Sequence, residues 1–266
     1  MSTDSFFARA GASIAYQLTG SGPSFGYAHG VMLSRAAVAR LELFDVGSLA
    51  DRHRVLTYDQ RGHGFSSGRP VAEDYRFENI AEDLLGLLDS LDLPEPVDFA
   101  GSSLGCDTAL RAAIAAPARF GRLVLMIPPV AWESGERQAR QWYFDTAESI
   151  EREGAAGWRA RMAGGERPPI FADYPHYSFV PDVTDDLLPA VLRGAGMSDL
   201  PSHEQIATLT HPTLILAWDT DPLHPVDTAR TLRDLIPGAR LHVSSTVADI
   251  RTWTGRIAEF LGDPAR

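Results

Sequence analysis

The sequence predicts an α/β protein: a mostly parallel sheet of about eight strands, helices on both faces, and an inserted, mainly helical cap. Three observations carry that expectation. Short apolar runs alternate with helical stretches along most of the chain, and a parallel crossover needs such a covering element. The run Arg122-Leu123-Val124-Leu125-Met126-Ile127 is nearly continuous in apolar residues, as in a strand buried on both faces. The alternation stops after Pro128-Pro129 and returns at Thr213, and between them Trp132, Trp142, Tyr143, Phe144 and Trp158 fall in helical-looking segments. The chain therefore divides into 1–129 (first part of the core), 130–201 (cap) and 202–266 (second part of the core).

Residues 6–10 and 13–18 flank a glycine-containing turn and read as an antiparallel hairpin. After the break Gly20-Ser21-Gly22-Pro23, a third strand at 25–28 ends on His29-Gly30, and a helix is expected from about 36 to 49. A strand at 54–59 leads through the turn-rich stretch 60–67 to a helix at 79–91. Asp92-Leu93-Pro94-Glu95-Pro96 closes that helix, since proline cannot extend the hydrogen-bonded ladder. Strand-like Val97-Asp98-Phe99-Ala100 then runs into Gly101-Ser102-Ser103-Leu104-Gly105 and a helix reaching about 116. Beyond the cap come a strand at 213–218, a helix at 226–235, a strand at 240–244 and a closing helix from about 249 to 261.

Composition narrows the partners. Hydrophobic residues make up 44% and charged residues 22%, which supports a large core in a folded chain. The net charge of −11, without a basic run or stripe, argues against nucleic acid and anionic membrane and leaves a small molecule as the expected partner. The single cysteine, Cys106, excludes an internal disulfide framework and fits a reducing compartment. Met1-Ser2-Thr3-Asp4-Ser5 lacks the basic start of a signal peptide and no apolar run has membrane-spanning length, so a cytoplasmic protein is expected. No His/Asp/Glu cluster has metal-ligand spacing and the first strand–helix turn carries no dinucleotide fingerprint, so neither metal nor cofactor is expected.

The chemistry centres on Gly101-x-Ser103-x-Gly105. In such a frame a serine sits on a tight strand-to-helix turn with its hydroxyl above the sheet, which makes Ser103 the candidate nucleophile. Its alternative is a small residue serving only the turn. Ligands of parallel sheets bind at the carboxyl ends of strands, and here those ends carry His29-Gly30, Asp59, Ser103 and Asp219/Asp221. A serine hydroxyl needs a base within hydrogen-bond reach, a carboxylate to orient that base, and N–H groups aimed at the oxyanion.

With these motifs in this order, the chain resembles the α/β-hydrolase superfamily over almost its full length, in particular small bacterial esterases and lactonases. His29-Gly30 resembles the family's oxyanion turn, Asp59-Gln60-Arg61-Gly62-His63-Gly64-Phe65-Ser66 the loop after its fourth strand, and Asp221-Pro222-Leu223-His224-Pro225 its acid loop. The resemblance implies Asp221 as the acid, in preference to Asp219. It also implies an oxyanion and substrate site built from His29, Gly30 and the N–H groups of Val31 and Leu104. Imidazoles in turns like those of His29 and His63 also commonly bond local backbone.

The family order is Ser, acid, His, with the histidine after the last strand. At that place this chain reads Ser244-Ser245-Thr246-Val247-Ala248-Asp249-Ile250, without a histidine. His242 lies within the strand pattern, while His224 follows Asp221 by three residues and is the candidate replacement base. His176 and His203 are further histidines that could enter from the cap or its return. The expected function is a serine hydrolase acting on a small, largely apolar ester, lactone or thioester through an acyl-enzyme. Its rivals are a ligand-binding protein without turnover and non-hydrolytic chemistry in the same pocket.

Overall fold

A computed structural model of the chain describes residues 3–132, 136–165, 167–177 and 179–262. Met1-Ser2, residues 133–135, 166 and 178 of the expected cap, and 263–266 lie outside the described residues. The strands are β1 (Ser5–Arg9), β2 (Ala12–Thr19), β3 (Ser24–Ala28), β4 (Arg54–Tyr58), β5 (Val97–Ser102), β6 (Phe120–Met126), β7 (Thr213–Trp218) and β8 (Arg240–Ser244). They form one sheet in the order β1-β2-β4-β3-β5-β6-β7-β8. The β1–β2 and β2–β4 pairs are antiparallel and the rest parallel.

The helices are α1 (Arg35–Leu41), α2 (Phe77–Ser90), α3 (Leu104–Ala115), α4 (Glu136–Glu153), α5 (Ala155–Ala163), α6 (Leu188–Gly196), α7 (His203–Ile206), α8 (Val226–Leu235), α9 (Val247–Ile250) and α10 (Trp253–Gly262). The central strands are apolar throughout because both faces are covered. Phe99, Leu123 and Leu125 pack with Leu84, Leu110 and Leu232 on one face. Ala100, Val124 and Met126 pack with Val38, Trp253 and Ile257 on the other. Strand order reverses between β3 and β5, where Ala28 pairs with Gly101. Such a switch point opens a crevice at the strands' carboxyl ends. No described helix is long and apolar enough to cross a membrane.

Two helices expected as single pieces are broken. The stretch from 36 ends as a helix at Leu41 because Glu42 takes a left-handed conformation (φ 51°). A 3-10 turn, Val46–Asp51, then begins where the Asp45 side chain accepts the Gly47 N–H. The closing helix starts early, capped by Thr246, and is interrupted after Ile250, where the Thr252 hydroxyl donates to the Asp249 carbonyl at 2.7 Å. Side-chain bonds of this kind compete with the helical ladder.

Residues 130–201 leave the sheet after β6 and return before β7. Helices α4 and α6 pack together there, and Ile150, Trp158 and Leu188 cluster with Met32 and Tyr75 of the core. Trp132, expected in a helical segment, lies before α4 with φ 56°. Its backbone N–H donates to Asp199 and its indole N–H to the Pro201 carbonyl at 3.0 Å, tying the start of this segment to its end.

Asp107, on the first turn of α3, is fully buried. One carboxylate oxygen accepts from Arg111 Nε at 2.9 Å, and the other has no partner among the described residues. Burial, outweighing the Arg111 charge and hydrogen bond, pushes the carboxyl from 3.8 up to about 7. The folded state then binds this proton more tightly than the unfolded state, so Asp107 costs stability progressively as pH rises through that interval. Asp107→Asn should therefore gain melting temperature relative to the parent between about pH 4 and pH 7, on top of a constant offset for the changed Arg111 bond. A difference that is flat with pH would refute this.

Candidate active site

Ser103 sits between the end of β5 and the start of α3 with φ 53° and ψ −113°, a strained geometry for a residue with a side chain. The flanking glycines make the turn possible. A Cβ at Gly101 would strike the Gly105 carbonyl, and one at Gly105 would strike the Ala28 carbonyl of β3. The Ser103 N–H is anchored to the Met126 carbonyl at 3.0 Å, which leaves the hydroxyl over the crevice.

The loop after β7 delivers two further groups. Thr220 has φ 66°, the Leu223 N–H donates to Asp221 Oδ1 at 2.9 Å, and the His224 N–H donates to the Asp221 carbonyl at 3.2 Å. This single turn brings the imidazole back over its own carboxylate. His224 Nδ1 lies 2.7 Å from Asp221 Oδ2, and His224 Nε2 lies 2.9 Å from Ser103 Oγ. A carboxylate facing Nδ1 selects the tautomer in which Nδ1–H donates to it, so Nε2 can accept the serine proton. Burial alone would raise the Asp221 carboxyl. The His224 charge and hydrogen bond, with the N–H groups of Trp218 and Leu223, overcome that and hold it well below the usual carboxylate range.

Gly30 closes the opposite side, where an added Cβ would come within 3.2 Å of Ser103 Cβ. In the same turn, Met32 N–H donates to His63 Nε2 and Leu33 N–H to the Gly30 carbonyl. The N–H groups of Val31 and Leu104 have no partner among the described residues.

His29, expected as part of the oxyanion and substrate site, does not line the cavity. Its ring is fully buried; Nδ1–H donates to the Gly30 carbonyl at 2.8 Å and Nε2 accepts the Gln60 N–H at 2.9 Å. Both nitrogens are spent on backbone, so its contribution is the shape of the turn. Burial lowers its pKa and that of His63, the latter to about 3, which keeps both rings neutral as one donor and one acceptor.

The other histidines lie elsewhere. His242 Nε2 pairs with Asp249 at 2.8 Å, His176 is beside Glu42 at 3.6 Å, and His203 packs edge-on against Trp132. Asp219 meets the structure through its N–H, bonded to the Ser244 carbonyl, whereas Asp221 carries the bond to His224. Sequence reasoning missed Trp218, whose indole N–H donates to Asp221 Oδ2 at 3.0 Å. Its signal was an indole on the last residue of the strand leading to the acid. Two bonds from segment 130–201 to the same loop were also missed: Val130 N–H donates to the Leu223 carbonyl and Ile170 N–H to Thr220 Oγ1.

Above Ser103 and His224 lies a cavity of about 120 Å³ walled by Phe77, Trp142, Tyr143 and Phe179. Its remaining ionisable lining, Arg140 and Asp199, forms an ion pair at 3.6 Å. Among the described residues no group of three or more His, Cys, Asp or Glu side chains could hold a metal ion.

Comparison with known proteins agrees with this architecture. 3-Oxoadipate enol-lactonase 1 of Acinetobacter baylyi is 30% identical over 183 residues, 67% of this chain but only 65% of that enzyme's length. 2-Hydroxymuconate semialdehyde hydrolase of Pseudomonas sp. strain CF600 is 30% identical over 234 residues, covering 81% of this chain and 77% of its own. The crystal structure of a hydrolase from Pseudomonas aeruginosa PA01 superposes with a TM-score of 0.80 at 27% identity over 98% of both chains. A family model described as the alpha/beta hydrolase fold matches residues 42–250, and the chain belongs to that family.

Proposed function

We propose that the protein is a hydrolase that cleaves a small, largely apolar ester, lactone or thioester through an acyl-enzyme on Ser103. The observation that carries this reading is the unbroken relay from Asp221 Oδ2 through the His224 ring to Ser103 Oγ, at 2.7 and 2.9 Å. His224 Nε2 takes the hydroxyl proton as Ser103 Oγ attacks the substrate carbonyl. The carbonyl π pair moves to oxygen, and the N–H groups of Val31 and Leu104 stabilise the oxyanion. Collapse expels the alcohol or thiol, which takes the proton from His224; from a lactone the new hydroxyl stays tethered to the acyl chain. Water, deprotonated by His224, then releases the acid and restores Ser103. Asp221 stays ionised throughout and holds the imidazolium.

The substrate class is supported by the cavity's small volume, its aromatic walls and the mutual neutralisation of Arg140 and Asp199. The name of one relative, an enol-lactonase, is compatible with a lactone substrate. A fluorophosphonate probe tests the reading: the protein should be labelled on Ser103 at neutral pH, and Ser103→Ala should not be labelled. A folded protein that escapes labelling but is stabilised by small esters without turning them over would instead be a ligand-binding member of the family.

A further inference from the structure

In the usual order of this fold the segment after the last strand supplies the base. Here the corresponding segment begins at Ser244 and does something else. Ser244 Oγ accepts the indole N–H of Trp253 at 2.9 Å, and Trp253 is fully buried. The Trp253 ring stacks on Trp218 with centroids 5.6 Å apart and planes 17° apart. Phe171 of the cap meets Trp218 edge-on at 5.1 Å. So fixed, Trp218 directs its N–H at Asp221 Oδ2, the same oxygen that accepts His224 Nδ1.

We infer that Trp218 is a positioning residue for the Asp221–His224 pair, and that Ser244 and Trp253 support the acid from the place where the base is usually carried. This rests on the proposed role of the triad. Asp221 and His224 share one short loop, so neither has a second strand end to fix it. The carboxylate can rotate about its own bond unless both oxygens are held. Leu223 N–H holds Oδ1 from within the loop, and Trp218 holds Oδ2 from outside it. The stacked rings confine the indole in its plane, which makes the N–H a fixed reference for the imidazole.

Trp218→Phe keeps an aromatic ring in the stack and removes the donor. It should lower kcat for a short-chain p-nitrophenyl ester by about tenfold with KM changed less than about twofold, as expected for an interaction that matters in the transition state. The acid limb of the kcat/KM profile should move to higher pH, because a carboxylate deprived of a donor holds the imidazolium proton more tightly. In an Asp221→Asn background the same substitution should change kcat by less than about twofold. If phenylalanine compromises folding, benzothienylalanine installed at 218 by amber suppression preserves shape and stacking, lacks only the N–H, and should give the same kinetic result. An unshifted acid limb, or a tenfold loss that persists in the Asp221→Asn background, would overturn the inference. Fluorophosphonate labelling separates the two levels. An unlabelled parent protein defeats the Ser103 reading, whereas a parent and a Trp218→Phe variant labelled at equal rates defeat only the role of Trp218.

Discussion

Replacing His224 with alanine should reduce kcat for a short-chain p-nitrophenyl ester by about 10⁴-fold, while His242→Ala should leave it within about twofold. His224 alone among the described histidines reaches Ser103 Oγ, and its ring also carries the bond to Asp221. His242 is committed to Asp249, which Arg256 also contacts at 3.2 Å, so its removal costs a partly exposed hydrogen bond and no proton transfer. The melting temperature of His224→Ala should change little. The loop is held by backbone bonds from Leu223, His224 and Val130 that do not use the imidazole. Ser103→Ala should fall to a similar floor, and the double variant should fall no further, because nucleophile and base act as one unit. Substantial residual turnover in His224→Ala, or a large loss in His242→Ala, would place the base elsewhere.

How much of this the sequence discloses depends on how local the determining interaction is. The elbow is legible because its requirements are steric and contiguous. Gly101 and Gly105 are needed where carbonyls approach too closely for a side chain, and the apolar run before them sets the strand. The continuous apolar residues of β6 also report a local fact, burial on both faces. The base is legible only as a candidate. The i, i+3 spacing of Asp221 and His224 permits a local pair, but reaching Ser103 depends on the left-handed turn at Thr220 and on how β7 lies two strands from β5. Trp218 is less visible still, because its role needs Trp253, Ser244 and Phe171, all distant from it in the chain. The same limit explains His29. The sequence places it at the oxyanion turn, but only the fold shows both ring nitrogens satisfied by backbone from Gly30 and Gln60.

That turn depends in turn on a buried ion pair outside the cavity, and Asp83→Ala should destabilise the protein by about 3–5 kcal/mol. Arg61 meets Asp83 through Nε and Nη2, each at 2.7 Å, with side-chain exposures of only 6% and 3%. Arg9 Nε adds a third donor to Asp83 at 3.0 Å, and Arg61 Nη1 reaches the Ala10 carbonyl. Removing the carboxylate leaves a buried guanidinium that cannot shed its proton facing Asp74 alone, 3.9 Å from Nη1, so the loss reflects an under-compensated buried charge more than the worth of the pair. For a chain of this size the melting temperature should drop by roughly 10 °C. The double variant Arg61→Met/Asp83→Leu should recover more than half of that, because it removes the charge and its partner together; additive losses would show that the pair's value lies in attraction rather than avoided desolvation. The consequence reaches catalysis through the loop that carries Arg61. Gln60 N–H of that loop holds His29, and His63 accepts the Met32 N–H in the turn after β3. As temperature rises, Asp83→Ala should therefore lose hydrolysis before its far-ultraviolet circular dichroism changes, whereas loss of both together would show that the loop unfolds only with the whole domain.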